Sequence, residues 1–259
     1  MEKVFIQSKP LQEKGFIRFD LQREWQYPAM RQELAQLQQA FADLPLDPYA
    51  PNTTRFRRYS RAIILPWNGT LHWLPNHVRE DGVEVCEYFQ GTFNAEYVDE
   101  YRAFTPLTEE TKANPLLHNI IQYDFAQTFW DARDLVLPIH VGVHLVKFDV
   151  RPGEEAFASP NHIHQDGEPF TFAHLITYHN VQGGINVIAH TECAGKQLDE
   201  VSESQILDQF LMTEPLDSYG VCDKLVCHYV SPVTCGPDDE YAERGMLLID
   251  YTPTVIAIT

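Results

Sequence analysis

The sequence is poor in positive charge: 19 Lys and Arg stand against 37 Asp and Glu, a net charge of −18. Such an excess repels phosphate, so neither nucleic acid nor an anionic membrane surface is expected as a partner. Long apolar runs are missing as well. Nothing approaches the roughly 20 residues that cross a bilayer, and the opening MEKVFIQSKPLQEKGF lacks the unbroken apolar segment of a secretory leader. The expected compartment is the cytoplasm. Cysteine is scarce and odd in number: Cys86, Cys193, Cys222, Cys227 and Cys235 contain no Cys-x-x-Cys pair. This excludes a disulfide framework and a zinc knuckle, and predicts reduced thiols. There is no internal repeat, low-complexity block or Gly/Ser linker, so residues 1–259 read as one domain.

What is present is a core. Hydrophobic residues make up 44% of the chain and aromatics 12%, which rules out disorder as the main state. Met30, Leu34, Leu37 and Phe41 recur at helical spacing and predict an amphipathic helix over 24–44, with Pro28 near its start. A second helix is predicted over 114–130, where Leu116, Leu117, Ile120, Ile121 and Phe125 follow Pro115. From Ile139 onward, short β-branched and aromatic runs alternate with Gly, Pro and Asp turns, the texture of antiparallel sheet. A helical stretch is predicted at 202–212, capped by Ser202. Helices first and strands after give an α+β fold built on a sandwich or jelly roll: helical support over about 1–135, main strands over about 136–259.

Eleven histidines are many for an acidic chain, and most lie in the strand-rich half. In His164-Gln165-Asp166 an imidazole and a carboxylate project to the same side of an extended segment and can meet one metal ion. His190-Thr191-Glu192 offers the same local pattern, so the motif alone decides little. The first match gains weight from His228, which belongs to another predicted strand. Two histidines and one carboxylate on a β-scaffold form the facial triad of non-haem Fe(II) sites, with positions left open for co-substrate and oxygen. Arg244, sixteen residues after His228, opens an apolar strand and offers a planar fork suited to a carboxylate. A hydrolytic zinc site is disfavoured, because no general base stands beside a three-ligand zinc motif. Gly183-Gly184 reads as a turn, since no phosphate-loop Lys-Ser/Thr follows it.

These residues, in this order, resemble the bacterial Fe(II)/2-oxoglutarate-dependent hydroxylases of free L-amino acids, of the L-isoleucine 4-hydroxylase type. The similarity runs from about Arg55 to Tyr251. It includes Arg58-Tyr59-Ser60-Arg61, Gly142-Val143-His144, His164-Gln165-Asp166-Gly167-Glu168-Pro169, Phe172-Ala173-His174-Leu175, Gly183-Gly184-Ile185-Asn186, His228-Tyr229-Val230-Ser231-Pro232, and Arg244 with Leu247-Leu248. The resemblance implies a double-stranded β-helix (jelly roll, cupin-like) in which His164, Asp166 and His228 hold Fe(II) and Arg244 pairs with the C5 carboxylate of 2-oxoglutarate. It also implies hydroxylation of an aliphatic carbon of a free L-amino acid, with 2-oxoglutarate and O2 converted to succinate and CO2. The charged ends of an amino acid need opposite charges in a mostly apolar pocket. Arg61 or Arg58 is therefore expected near the α-carboxylate, and Glu168 near the α-amine. His144 and His174 are read as hydrogen-bonded supports, not ligands. The competing function is a cupin-like metal-binding or sensing protein that keeps the barrel without hydroxylase activity.

Overall fold

Strand alternation sorts the chain into an apolar side and a charged side. The computed structural model describes residues 9–50, 54–94, 96–238 and 241–255. In chain order the first elements are α1 (Pro10–Lys14), β1 (Phe16–Asp20), α2 (Leu21–Glu24), α3 (Met30–Ala42), β2 (Arg55–Ile64) and β3 (Leu71–Trp73). Next come β4 (His77–Val78), β5 (Glu84–Tyr88), β6 (Arg102–Phe104), α4 (Glu109–Lys112) and α5 (Pro115–Gln127). The remaining strands are β7 (Ile139–Val150), β8 (Phe170–His179), β9 (Val181–Gly183), β10 (Asn186–Ala189), β11 (Ile206–Phe210), β12 (Asp217–Cys222), β13 (Cys227–Val230), β14 (Val233–Cys235) and β15 (Ala242–Pro253).

Seven strands form the major sheet in the order β1-β12-β8-β15-β7-β2-β3, and every pairing is antiparallel. The ribbons β11-β10-β13 and β14-β9 supply the second layer. Ala173 and Met246 of the major sheet share a buried cluster with Ile188 and Phe210 of the second layer, so the two layers form a double-stranded β-helix with an interior between them.

The other face of the major sheet is apolar. Val141, Val143, Leu145, Phe172, Leu247, Ile249 and Tyr251 pack there against Leu37 and Phe41 of α3 and Leu116, Leu117, Ile120 and Ile121 of α5. Helix α5 begins where Asn114 accepts a hydrogen bond from Leu117 N–H at 3.1 Å, with Pro115 in the first turn where no N–H is needed. Among the described residues no helix is long and apolar enough to cross a membrane.

Three stretches differ from the sequence-based expectation. The helix expected over 24–44 begins only at Met30, because Pro28 sits in a turn between α2 and α3. The helix expected over 202–212 is a 3-10 turn (Glu203–Gln205) running into strand β11. Its apolar residues have helical spacing, and pairing with β10 overrides it in favour of the strand. The N-terminal half also supplies strands: β1 and β2 join the major sheet, and β2 pairs with β7 along its full ten residues.

Replacing Phe172, fully buried at the centre of the apolar face, by Ala is expected to cost about 3–5 kcal/mol in urea unfolding. The exposed Val78→Ala change serves as control and should cost about 0.5 kcal/mol or less.

Candidate active site

His164, Asp166 and His228 offer one ligand atom each, all within 4.8 Å of one another, and form the only such three-residue group found among the described residues. Backbone pairing creates this convergence. His164 and His228 bridge as an isolated antiparallel pair, each N–H donating to the other's carbonyl at 2.9 Å. This brings the imidazole centroids to 4.5 Å. Nδ1 of His164 lies 2.8 Å from the His162 carbonyl, which assigns it the proton and leaves the Nε2 lone pair free to bind a metal beside Asp166. Nε2 of His164 and Nε2 of His228 stand 3.5 and 3.4 Å from the two Asp166 oxygens. Asp223 fixes the turn, accepting from the N–H groups of Asp166 at 2.8 Å and Gly167 at 3.0 Å.

The electrostatics suit a cation. Burial alone would raise the Asp166 pKa, but His228 and His164 outweigh it and hold the carboxyl well below the usual carboxylate range. Burial pushes His228 down to about 4, so its ring is neutral and able to donate a lone pair. Nδ1 of His228 is buried without a hydrogen-bond partner. Two neutral-capable imidazoles and one ionised carboxylate, with no protein cation between them, fit a divalent metal of the non-haem iron type.

The triad lines a cavity of about 140 Å³ that also contains Arg244, Arg57, Asn186 and Tyr219. Arg244 is 3% exposed, no carboxylate pairs with it among the described residues, and its Nε has no partner. Burial lowers its pKa against the opposing pull of Tyr219 and Tyr178. Gly184 packs against it: a Cβ there would lie 3.2 Å from the Arg244 Nε, and the backbone adopts φ +65. The Gly183-Gly184 turn thus makes room for the guanidinium.

A second cavity, about 520 Å³, shares Asp166 with the first and is lined by Arg61, Glu168, Asp250, His140 and a wall of aromatics including Tyr59 and Tyr88. Glu168 accepts from the Tyr88 hydroxyl at 2.9 Å, and burial, with Asp250 and Asp166 nearby, raises its pKa well above normal. Arg61 and Glu168 are therefore brought together. Arg58 is not. The inward residues of β2 are Arg55, Arg57, Tyr59 and Arg61, so Arg58, three residues from Arg61, projects to the opposite face. There it donates to the Pro106 carbonyl at 2.7 Å and lines a separate groove beside Asp43 and Thr111. That position removes it from the substrate-binding residues expected from sequence.

The family description 2OG-Fe dioxygenase matches residues 38–250. The chain belongs to the 2OG-Fe dioxygenase family. The dioxygenase is 27% identical over 247 residues to an L-isoleucine-4-hydroxylase of Bacillus thuringiensis, covering 92% of this chain and 91% of that protein. It is 25% identical to a 3(1)-hydroxy-L-isoleucine 4-dioxygenase of Pantoea ananatis (strain AJ13355), covering 85% and 81%. Among solved structures, IDO from Bacillus thuringiensis superposes with a TM-score of 0.73 at 24% identity, covering 95% of this chain and 93% of that one, and so shares the fold. Family membership makes the protein a non-haem iron oxygenase that uses Fe(II), 2-oxoglutarate and O2. The competing expectation of a binding protein without catalysis is thereby set aside.

His174 and His144 of the dioxygenase act as hydrogen-bonded supports. His174 is fully buried on the helical side, bonded to Asp124 and Ser218 at 2.9 Å each. His144 stacks on Tyr59 at 4.2 Å and bridges Arg57 Nη2 at 2.7 Å and Asp250 at 3.1 Å. Because an arginine donates to Nδ1, Nε2 carries the proton and donates to Asp250. His190-Thr191-Glu192 lies in an exposed 3-10 turn, with no third ligand beside it among the described residues. Four residues that complete the site were absent from the sequence reading: Arg57, Tyr88, Asp223 and Asp250. For Arg57 and Asp250 a signal existed, since they share the strand phases of Arg61 and Arg244; Tyr88 and Asp223 arrive from distant elements.

Burial, with Asp166 nearby, pushes Asp250 up to about 7. A carboxyl with a raised folded-state pKa holds its proton longer in the native than in the unfolded chain. Its contribution to stability is complete below about pH 4 and is lost as pH rises to about 7. Asp250→Asn should therefore gain stability relative to the metal-free parent over that interval, then stay level above it. Paired urea midpoints at pH 4.5 and pH 7.5 (roughly, the two sides of the interval) check this.

Proposed function

We propose that this dioxygenase hydroxylates an aliphatic carbon of a free L-amino acid, with His164, Asp166 and His228 binding the Fe(II) and Arg244 pairing with the C5 carboxylate of 2-oxoglutarate. The observation that carries the reading is Asp166 standing in the common wall of two cavities, one containing Arg244 and the other Arg61 and Glu168. A metal at that wall is reached from one side by the co-substrate and from the other by the substrate. The two relatives whose names specify an isoleucine substrate or its hydroxylated derivative support the amino-acid class.

Bound iron supplies the oxygen-activating centre at which 2-oxoglutarate and O2 yield succinate, CO2 and one oxygen atom for the substrate C–H. The chain's own residues do the positioning. The Arg61 guanidinium meets the α-carboxylate, and Glu168 with Asp250 meets the α-ammonium. Burial and neighbouring carboxylates raise the pKa of both carboxyls, so an arriving ammonium restores their charge. Tyr88 holds Glu168 in place through its hydroxyl. The rings of Tyr59, Tyr88 and Phe93 surround the side chain and keep water from the reacting carbon.

Purified protein with Fe(II), ascorbate, 2-oxoglutarate and O2 should form succinate faster with at least one free L-amino acid, whose product gains one oxygen atom in mass. His164→Ala should abolish this turnover. Glu168→Lys should raise the amino-acid KM by roughly 10-fold or more through loss of a charge-assisted contact. Turnover that no free amino acid stimulates, or that survives His164→Ala, contradicts the proposal.

A further inference from the structure

We infer that Arg57 is a second carboxylate anchor for 2-oxoglutarate, gripping the C1 end of the molecule while Arg244 takes the C5 end; this rests on the metal and Arg244 roles proposed above. Arg57 lines the same 140 Å³ cavity as Arg244 and the triad. No carboxylate pairs with it among the described residues, and its Nε is buried without a hydrogen-bond partner. Its one strong contact is Nη2 to Nδ1 of His144 at 2.7 Å, and that neutral ring brings no counter-charge. The rings of Phe104 and Tyr88 flank the guanidinium at 4.3 and 5.4 Å from their centroids. Neighbouring Arg55 differs: Asp47 neutralises it at 2.7 Å. Arg57 is half-buried, and its Nε, shut off from water and unpaired, carries a desolvation penalty that an anionic ligand in the cavity removes.

The spacing selects the ligand. Arg244 aligns across β7 with Phe148, which in turn aligns with Arg55, so Arg57 lies two strands across and two residues along from Arg244. Strand geometry puts the two Cα atoms roughly 12 Å apart, which leaves room between the guanidinium tips for a short dicarboxylate. Two uncompensated cations match the two carboxylates of 2-oxoglutarate. The small volume suits that one molecule and leaves the larger cavity to the amino acid. Asp166 shares the larger cavity with Asp250 and Arg61, and Arg57 sits one inward residue nearer that end of the sheet than Arg244, which assigns it the carboxylate beside the keto group. His144 then joins Arg57 to Asp250, so a hydrogen-bonded chain connects the co-substrate's C1 end to the substrate cavity.

Ligand truncation tests this without turnover. The anaerobic Fe(II) protein is titrated by calorimetry with 2-oxoglutarate, with 2-oxopentanoate, which lacks the C5 carboxylate, and with 4-oxopentanoate, which lacks the C1 carboxylate. Arg57→Met should weaken 2-oxoglutarate and 2-oxopentanoate by roughly 10- to 100-fold and leave 4-oxopentanoate within about threefold. Arg244→Met should give the opposite pattern: 4-oxopentanoate weakened and 2-oxopentanoate kept. Arg57→Lys, which retains the charge and the fold, should fall between parent and Arg57→Met. Equal losses for both truncated ligands, or loss of amino-acid affinity with 2-oxoglutarate affinity kept, overturns the assignment. A parent protein that binds 2-oxoglutarate equally with and without Fe(II) contradicts the underlying metal reading instead, and removes the basis for the C1 contact with it.

Discussion

Everything in this molecule depends on the two-residue period of three adjacent strands. In β2, β7 and β15 one set of alternate residues includes Ala62, Ile64, Val141, Val143, Leu145, Leu247, Ile249 and Tyr251 and is sealed by α3 and α5, within a core of 25 buried residues. The other set carries Arg55, Arg57, Arg61, His144, Arg244 and Asp250 into the interior of the barrel. Burial of so many charges is unfavourable unless each finds a partner. Asp47 pairs with Arg55 and Asp250 with His144, while Arg57, Arg61 and Arg244 each keep a buried Nε with no partner. The apolar face supplies the stability that allows the charged face to remain unsatisfied until ligands arrive.

The same period explains why the site is precise. A one-residue slip of β2 would turn Arg57 and Arg61 toward the helices and bring Arg58 inward. Pairing along the full length of β2 with β7 prevents this. Gly142 contributes at one point: a Cβ there would collide with the Asp250 carboxylate at 2.0 Å, so glycine lets that carboxylate lie flat across β7. Opposite, the reciprocal backbone bonds between His164 and His228 pin the two histidines independently of any ligand.

Much of this was legible in the sequence. The jelly-roll strands and the helix behind Asn114 and Pro115 are readable because they rest on local periodicity, and the His-x-Asp, distal His and Arg order is readable because a short local motif is joined to two separated residues in the order the family resemblance implies. The 202–212 segment is read as a helix because Ile206, Leu207, Phe210 and Leu211 have helical spacing, which pairing with β10 overrides. Arg58 was grouped with Arg61 by proximity in sequence, although their odd separation places them on opposite faces of a strand. Asp223 and Tyr88 cannot be found that way. Each reaches the site from a separate strand or turn, and no spacing rule links Tyr88 to Glu168 across 80 positions.

The central claim is that one metal ion sits at the wall between two cavities, held by His164, Asp166 and His228. A crystal structure with Mn(II) in place of Fe(II), soaked with 2-oxoglutarate and read by anomalous scattering, tests it most directly. The account predicts one anomalous peak bonded to both histidine Nε2 atoms and an Asp166 oxygen, with 2-oxoglutarate extending from it toward Arg244. A peak elsewhere, or a co-substrate lying in the cavity of Arg61 and Glu168, would contradict it.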